Sequence, residues 1–85
     1  MEITFKPTFV RSFKKLEPDL QEEAFEKIEL FRNPKNHDKL KVHKLKVRLK
    51  NYHSFSVNYK YRIIFTFEAL GTADFKEIGS HDIYK

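Results

Sequence analysis

Between Tyr52 and Phe67 apolar and polar residues alternate, and this pattern restricts the possible folds more than any other part of the chain. Phe55 and Val57 share one face of a predicted strand, with Ser54, Ser56 and Asn58 on the other. After a short break, Tyr61, Ile63, Phe65 and Phe67 alternate with Arg62, Ile64, Thr66 and Glu68 in a second predicted strand. The connection between them sets the register, because antiparallel partners must send matching side chains to the same face. A three-residue loop, Asn58-Tyr59-Lys60, pairs Val57 with Tyr61 and Ser56 with Arg62, which joins the two apolar rows. A two-residue loop would pair Val57 with Arg62 and mix the faces. The expectation is a hairpin with a continuous apolar face and with Arg62 on the polar face, in mid-sheet.

The remaining segments supply what such a hairpin needs to be stable. Glu2–Lys6 reads as a short strand with Ile3 and Phe5 inward, ended by Pro7. Phe9, Val10, Phe13 and Leu16 recur at helical spacing, predicting a first helix over residues 8–16 with the proline in its opening turn. Glu17-Pro18-Asp19 interrupts and restarts the helix. Leu20, Ala24, Phe25, Ile28 and Phe31 then form one apolar face of a second, amphipathic helix that stops before Asn33-Pro34. The segment from Lys35 to Asn51 reads as a loop with a possible short strand, and Ala73–Ile78 as a weaker fourth strand followed by a tail from Gly79. The expected fold class is α+β: an N-terminal strand, a two-helix hairpin and a three-stranded antiparallel meander, with the helices on one sheet face. Eighty-five residues make one domain, 1–85, too small for a large cofactor fold. Without cysteine, disulfides and thiolate metal sites are excluded, so nine Phe and four Tyr must carry much of the core. No apolar run approaches a membrane span and the N-terminus does not resemble a secretory signal; the expected location is the cytoplasm.

Charge singles out one surface. From Lys35 to Arg62 there are nine Lys or Arg against the single acid Asp38, a balance of +8 in a chain whose net charge is +5. A cluster of this kind attracts polyanions, chiefly nucleic-acid phosphates, and its binding should weaken steeply with salt. Lys41, Lys44, Lys46, Arg48, Lys50 and Lys60 are the candidate RNA-binding residues. His43 stands in the same basic segment, and His81 and Tyr84 stand in the tail. An imidazole exchanges a proton near neutral pH and a guanidinium grips a phosphate through two hydrogen bonds. On a cationic face these groups suit cleavage of RNA: the 2′-OH is deprotonated and attacks the adjacent phosphate, the leaving oxygen is protonated, and Arg62 and lysines hold the developing charge. That chemistry needs no metal and no cofactor. His37 and His53 read as surface or packing residues.

His43-Lys44-Leu45-Lys46, Asn51-Tyr52-His53-Ser54-Phe55, Tyr61-Arg62-Ile63-Ile64-Phe65 and Ile78-Gly79-Ser80-His81-Asp82-Ile83-Tyr84, in this order, resemble the RelE/ParE superfamily of toxins from type II toxin–antitoxin systems, nearest the RelE/StbE and YafQ-like branch. The resemblance spans essentially the whole chain. It implies an mRNA endonuclease acting in the ribosomal A site without metal, with a cognate antitoxin, the ribosome and mRNA as partners. By the same resemblance, His43 takes the place of the general base, Arg62 of the group that stabilises the scissile phosphate, His81 of the general acid and Tyr84 of the terminal aromatic that orients the substrate. Lys44, Lys46, Arg48 and Lys50 fall where basic residues meet ribosomal and messenger RNA. The sequence departs from the pattern at Val47 and Asn51, where relatives usually carry Gly. Two other readings fit the same fold: a ParE-type inhibitor of DNA gyrase, and an inactive member kept for its antitoxin complex.

Overall fold

The computed structural model describes residues 1–46 and 51–80. In chain order the elements are β1 (Glu2–Phe5), α1 (Pro7–Lys14), α2 (Pro18–Phe31), β2 (His43–Lys44), β3 (Tyr52–Ser56), β4 (Tyr61–Glu68) and β5 (Thr72–Ser80). They form an α+β domain with one five-stranded sheet in the order β1-β5-β4-β3-β2. The expected antiparallel meander is its centre, β3-β4-β5. The edges complete it: β1 lies parallel to β5, and the two-residue β2 lies antiparallel to β3. The sheet is therefore mixed, and β5 is an interior strand. Gly79 and Ser80, expected in the tail, belong to β5, where they pair with Arg62 and Tyr61.

The hairpin has the register the three-residue loop requires, with Phe55 opposite Ile63 and Ser56 opposite Arg62. Its turn is held by Asn58, whose Oδ1 accepts the backbone N–H groups of Lys60 at 2.9 Å and Tyr61 at 2.7 Å. This local capping is the reason asparagine suits such turns. The Asn58 amide also donates to Glu23 of α2 at 2.9 Å, so the same side chain ties the turn to the helices.

The weak periodicity of β5 has a structural cause. Ala73, Phe75 and Ile78 are all buried, although Phe75 and Ile78 are an odd number of residues apart. Ile64 pairs with Glu77 and Phe65 with Phe75, so Lys76 is an extra residue, a bulge that restores the inward phase of the strand. Two hydroxyls of α1 cover the irregularity: Thr8 Oγ1 donates to the Lys76 carbonyl at 2.6 Å, and the Ile78 N–H donates to Ser12 Oγ at 3.1 Å.

The core lies between the helices and the sheet. Phe31 of α2 is fully buried and stacks on Phe55 at 4.7 Å, with Phe65 and Phe75 meeting it edge-on at 5.0 and 5.4 Å. Such ring geometries add to simple area burial. Ala24, Ile28 and Phe31 form the inward stripe of α2. Phe25 does not share it and is 59% exposed, because a helix turns too far in one residue for Ala24 and Phe25 to face the same way. It lines instead a shallow apolar groove of about 440 Å³ with Phe5, Phe9, Val10 and Phe13. Of the two roles open to His37 and His53, surface or packing, the structure shows ring packing: the His37 ring stacks on Phe31 at 4.5 Å, and His53 meets Phe67 edge-on at 4.8 Å. Among the described residues no helix is long and apolar enough to cross a membrane.

Candidate active site

The sheet face turned away from the helices is organised by the alternation that builds the core. Ile63 and Phe65 point into the core, so Arg62, Ile64 and Thr66 point to the opposite side. Cross-strand partners share a face, which assembles rows there. His43, Ser54, Ile64 and Glu77 form one row and Ser56, Arg62 and Gly79 the next. This face is not uniformly solvated: Ser54 and Ile64 are buried, at 0% and 7% exposure. Ser54 Oγ has no hydrogen-bond partner among the described residues.

Arg62 is half-buried and its Nη1 donates to Ser56 Oγ at 3.2 Å. That bond steadies the guanidinium while leaving its Nε and Nη2 edge for a second partner. No carboxylate lies within ion-pair distance of it among the described residues. Gly79, opposite Arg62 on β5, has no side chain to fill the neighbouring space.

His43 occupies β2 at the sheet edge, on a strand where a loop was the firmer expectation. It is exposed, and its Nδ1–H donates to the Lys41 carbonyl at 2.8 Å. With strands ~4.8 Å apart and a rise of ~3.4 Å per residue, two strands and two residues separate the Cα atoms of His43 and Arg62 by roughly 12 Å. Both side chains rise from the same sheet face at that separation, Arg62 two residues along β4 from the row that His43 begins.

The basic segment divides between surfaces. Lys44 pairs with His53 and so takes the opposite side of the edge strand from His43. Lys41, Lys44, Lys46 and Lys60 are all exposed, and Lys60 Nζ sits 5.7 Å from the centre of the Tyr61 ring. His81, Tyr84, Arg48 and Lys50 lie outside the described residues. Of the four candidate catalytic side chains, His43 and Arg62 are thus placed, and they share one face.

The far end of this face carries a polar cluster that the sequence did not single out. Asp74 accepts from Thr4 Oγ1 at 2.8 Å and from Lys76 Nζ at 2.9 Å, with Lys6 Nζ at 3.5 Å. Burial pushes its carboxyl pKa up, but the hydrogen bonds from Lys76 and Thr4 and the charges of Lys76 and Lys6 outweigh this and lower it. The cluster ties β1 to β5. Its sequence signal, Lys76 two residues after Asp74, is indistinguishable from an ordinary solvated strand face. Among the described residues no three His, Asp or Glu side chains gather closely enough to hold a metal ion.

No family model matches the sequence, and no curated protein resembles it in sequence. Solved structures do match in shape. A chain of the YoeB–YefM complex from Staphylococcus aureus superposes with a TM-score of 0.72 at 20% identity, covering 95% of this chain and 97% of that one. A chain of the DinJ–YafQ complex from E. coli gives 0.71 at 17%, covering 96% and 94%. A chain of the toxin–antitoxin complex RelBE2 from Mycobacterium tuberculosis gives 0.68 at 17%, covering 93% and 95%. A five-stranded mixed sheet, two helices on one face and near-complete coverage of both chains give this protein the RelE/ParE-like toxin fold.

Proposed function

We propose that this chain is the toxin of a type II toxin–antitoxin pair and acts as a ribosome-dependent mRNA endonuclease. The observation that carries the reading is the placement of His43 and Arg62 on one helix-free sheet face, beside a segment of strongly positive charge. RNA enters along that face because lysines and arginines draw its phosphates. The His43 imidazole removes the proton from a ribose 2′-OH, and the oxygen attacks the adjacent phosphorus. Negative charge grows on the non-bridging oxygens, where Arg62 donates two parallel hydrogen bonds. The bond to the 5′-oxygen breaks, His81 supplies its proton, and a 2′,3′-cyclic phosphate and a 5′-hydroxyl result. Tyr84 orients the substrate, and Lys41, Lys44, Lys46, Arg48, Lys50 and Lys60 bind messenger and ribosomal RNA. The cytoplasm, where translation occurs, is the proposed site of action.

An antitoxin is the proposed protein partner, since three of the matching structures are complexes named RelBE2, DinJ–YafQ and YoeB–YefM. Primer extension on a message translated in the presence of the purified protein tests the activity. Cuts at codon positions that require ribosomes are expected, and His81→Ala is expected to lower their rate on the order of a hundredfold. Intact message accompanied by a DNA-damage response would overturn the nuclease reading in favour of gyrase inhibition.

A further inference from the structure

His43 owes its ring orientation to an unusual piece of main chain. Residues 37–41 form a single helical turn closed by two hydrogen bonds, Val42 N–H to the His37 carbonyl at 3.0 Å and Lys41 N–H to the Asp38 carbonyl at 3.1 Å. This pairing ends a helical turn with a left-handed residue, a position usually given to glycine. Here it is Lys41, with φ of 58°. The turn is anchored by Leu40, which is buried, donates its N–H to the Asn36 carbonyl at 3.1 Å and accepts from Ser56 N–H at 2.8 Å.

From this geometry we infer that the left-handed main chain of Lys41 is a positioning element that fixes the tautomer of His43. A carbonyl oxygen only accepts, so the 2.8 Å contact requires the hydrogen of the neutral ring to sit on Nδ1. Nε2 then keeps its lone pair at the distal end of the ring, on the face shared with Arg62. An imidazole free in water prefers the other tautomer, with Nε2 protonated and unable to accept. The backbone thus pre-sets the protonation pattern a general base needs, as a hydrogen bond to one ring nitrogen decides the state of the other. The device works through the carbonyl of Lys41 and makes no use of its ammonium group. The inference deepens the proposed function and rests on it for its catalytic meaning; the tautomer itself does not.

The test is a long-range proton–nitrogen correlation spectrum of the intact protein, labelled with nitrogen-15 and recorded with His43 neutral. Nδ1 of His43 is expected at the shift of a protonated ring nitrogen and Nε2 at that of a bare one. Lys41→Gly, which keeps the left-handed turn, is expected to preserve the pattern. Lys41→Val, whose β-branched side chain resists positive φ, is expected to lose it. Since both variants lack the lysine charge, their comparison isolates the backbone, and cleavage by Lys41→Val is expected to be about tenfold slower than by Lys41→Gly. Nε2 protonated in the neutral wild-type ring overturns the inference, as does the same pattern in both folded variants. If Lys41→Val does not fold, the wild-type spectrum still decides. Full cleavage by His43→Ala beside an intact Nδ1–H signature overturns the base assignment while supporting the fixed tautomer.

Discussion

Replacing Arg62 separates the charge on the open face from the geometry in which it is presented. Arg62→Ala removes the guanidinium, while Arg62→Lys keeps a positive charge but replaces a planar fork with a single ammonium. In the structure Nη1 is engaged with Ser56 at 3.2 Å, and Nε and Nη2 form the edge able to meet two phosphate oxygens. Loss of a preorganised donor to a developing oxyanion costs about 2.7–4 kcal/mol, or roughly a hundredfold to a thousandfold in rate. Arg62→Lys retains the Coulomb attraction and one charged hydrogen bond but forfeits the second; at about 1.5–3 kcal/mol for a hydrogen bond to a charged group, a loss of roughly ten- to a hundredfold is expected. Neither change should unfold the protein, because Arg62 is half-buried on the face away from the core and Ser56 remains partly accessible to water. The assay is single-turnover cleavage on programmed ribosomes at saturating toxin, with thermal melts as the folding control. Cleavage by Arg62→Ala within threefold of wild type would refute the role of this residue. Equal rates for Arg62→Lys and wild type would refute the fork geometry and leave only a charge effect.

Three further outcomes test other parts of the structure. Neutralising Lys44, Lys46 and Arg48 together is expected to weaken binding to single-stranded RNA and to lower the slope of log affinity against log salt by about 2, at ~0.7 per phosphate contact; an unchanged slope in a salt titration would exclude these residues as phosphate contacts. Asp74, with its carboxyl pKa lowered in the folded state, contributes stability that is present above the unfolded carboxylate value of about 3.9 and is lost as pH falls through the folded one. Melting temperatures of Asp74→Asn should therefore vary less than wild type below about pH 4, and parallel curves would contradict the assigned network. Phe31→Ala is expected to cost about 3–5 kcal/mol, a large part of the roughly 4–13 kcal/mol expected for a domain of this length, so urea denaturation should show a much lower midpoint or no folded baseline; a loss under 1 kcal/mol would show that the aromatic stack is not the centre of the core.

Alternation along Tyr52–Phe67, with one turn of known length, was enough to determine the β3–β4 register and the side of the sheet from which Arg62 projects. Both follow from local rules, the period of the strand and the chemistry of Asn58 in a turn. The helices were legible for the same reason, apart from the end of α1, which stops at Lys14 and not at Leu16, and from Val10 and Phe25, whose exposure only packing reveals. Tertiary structure alone decided what depends on contacts between distant segments. The parallel pairing of β1 with β5 joins residues about seventy positions apart, and nothing in Glu2–Phe5 specifies its neighbour. The Lys76 bulge blurred the β5 pattern because its compensation comes from Thr8 and Ser12 on α1. Likewise, the basic segment offered little periodicity to read, because it closes a helical turn at Lys41 and, among its described residues before Asn51, gives two, His43 and Lys44, to the sheet. The amino-acid order named His43 and Arg62 as chemical groups; the sheet put them on one face, since strand pairing converts separation along the chain into adjacency across it.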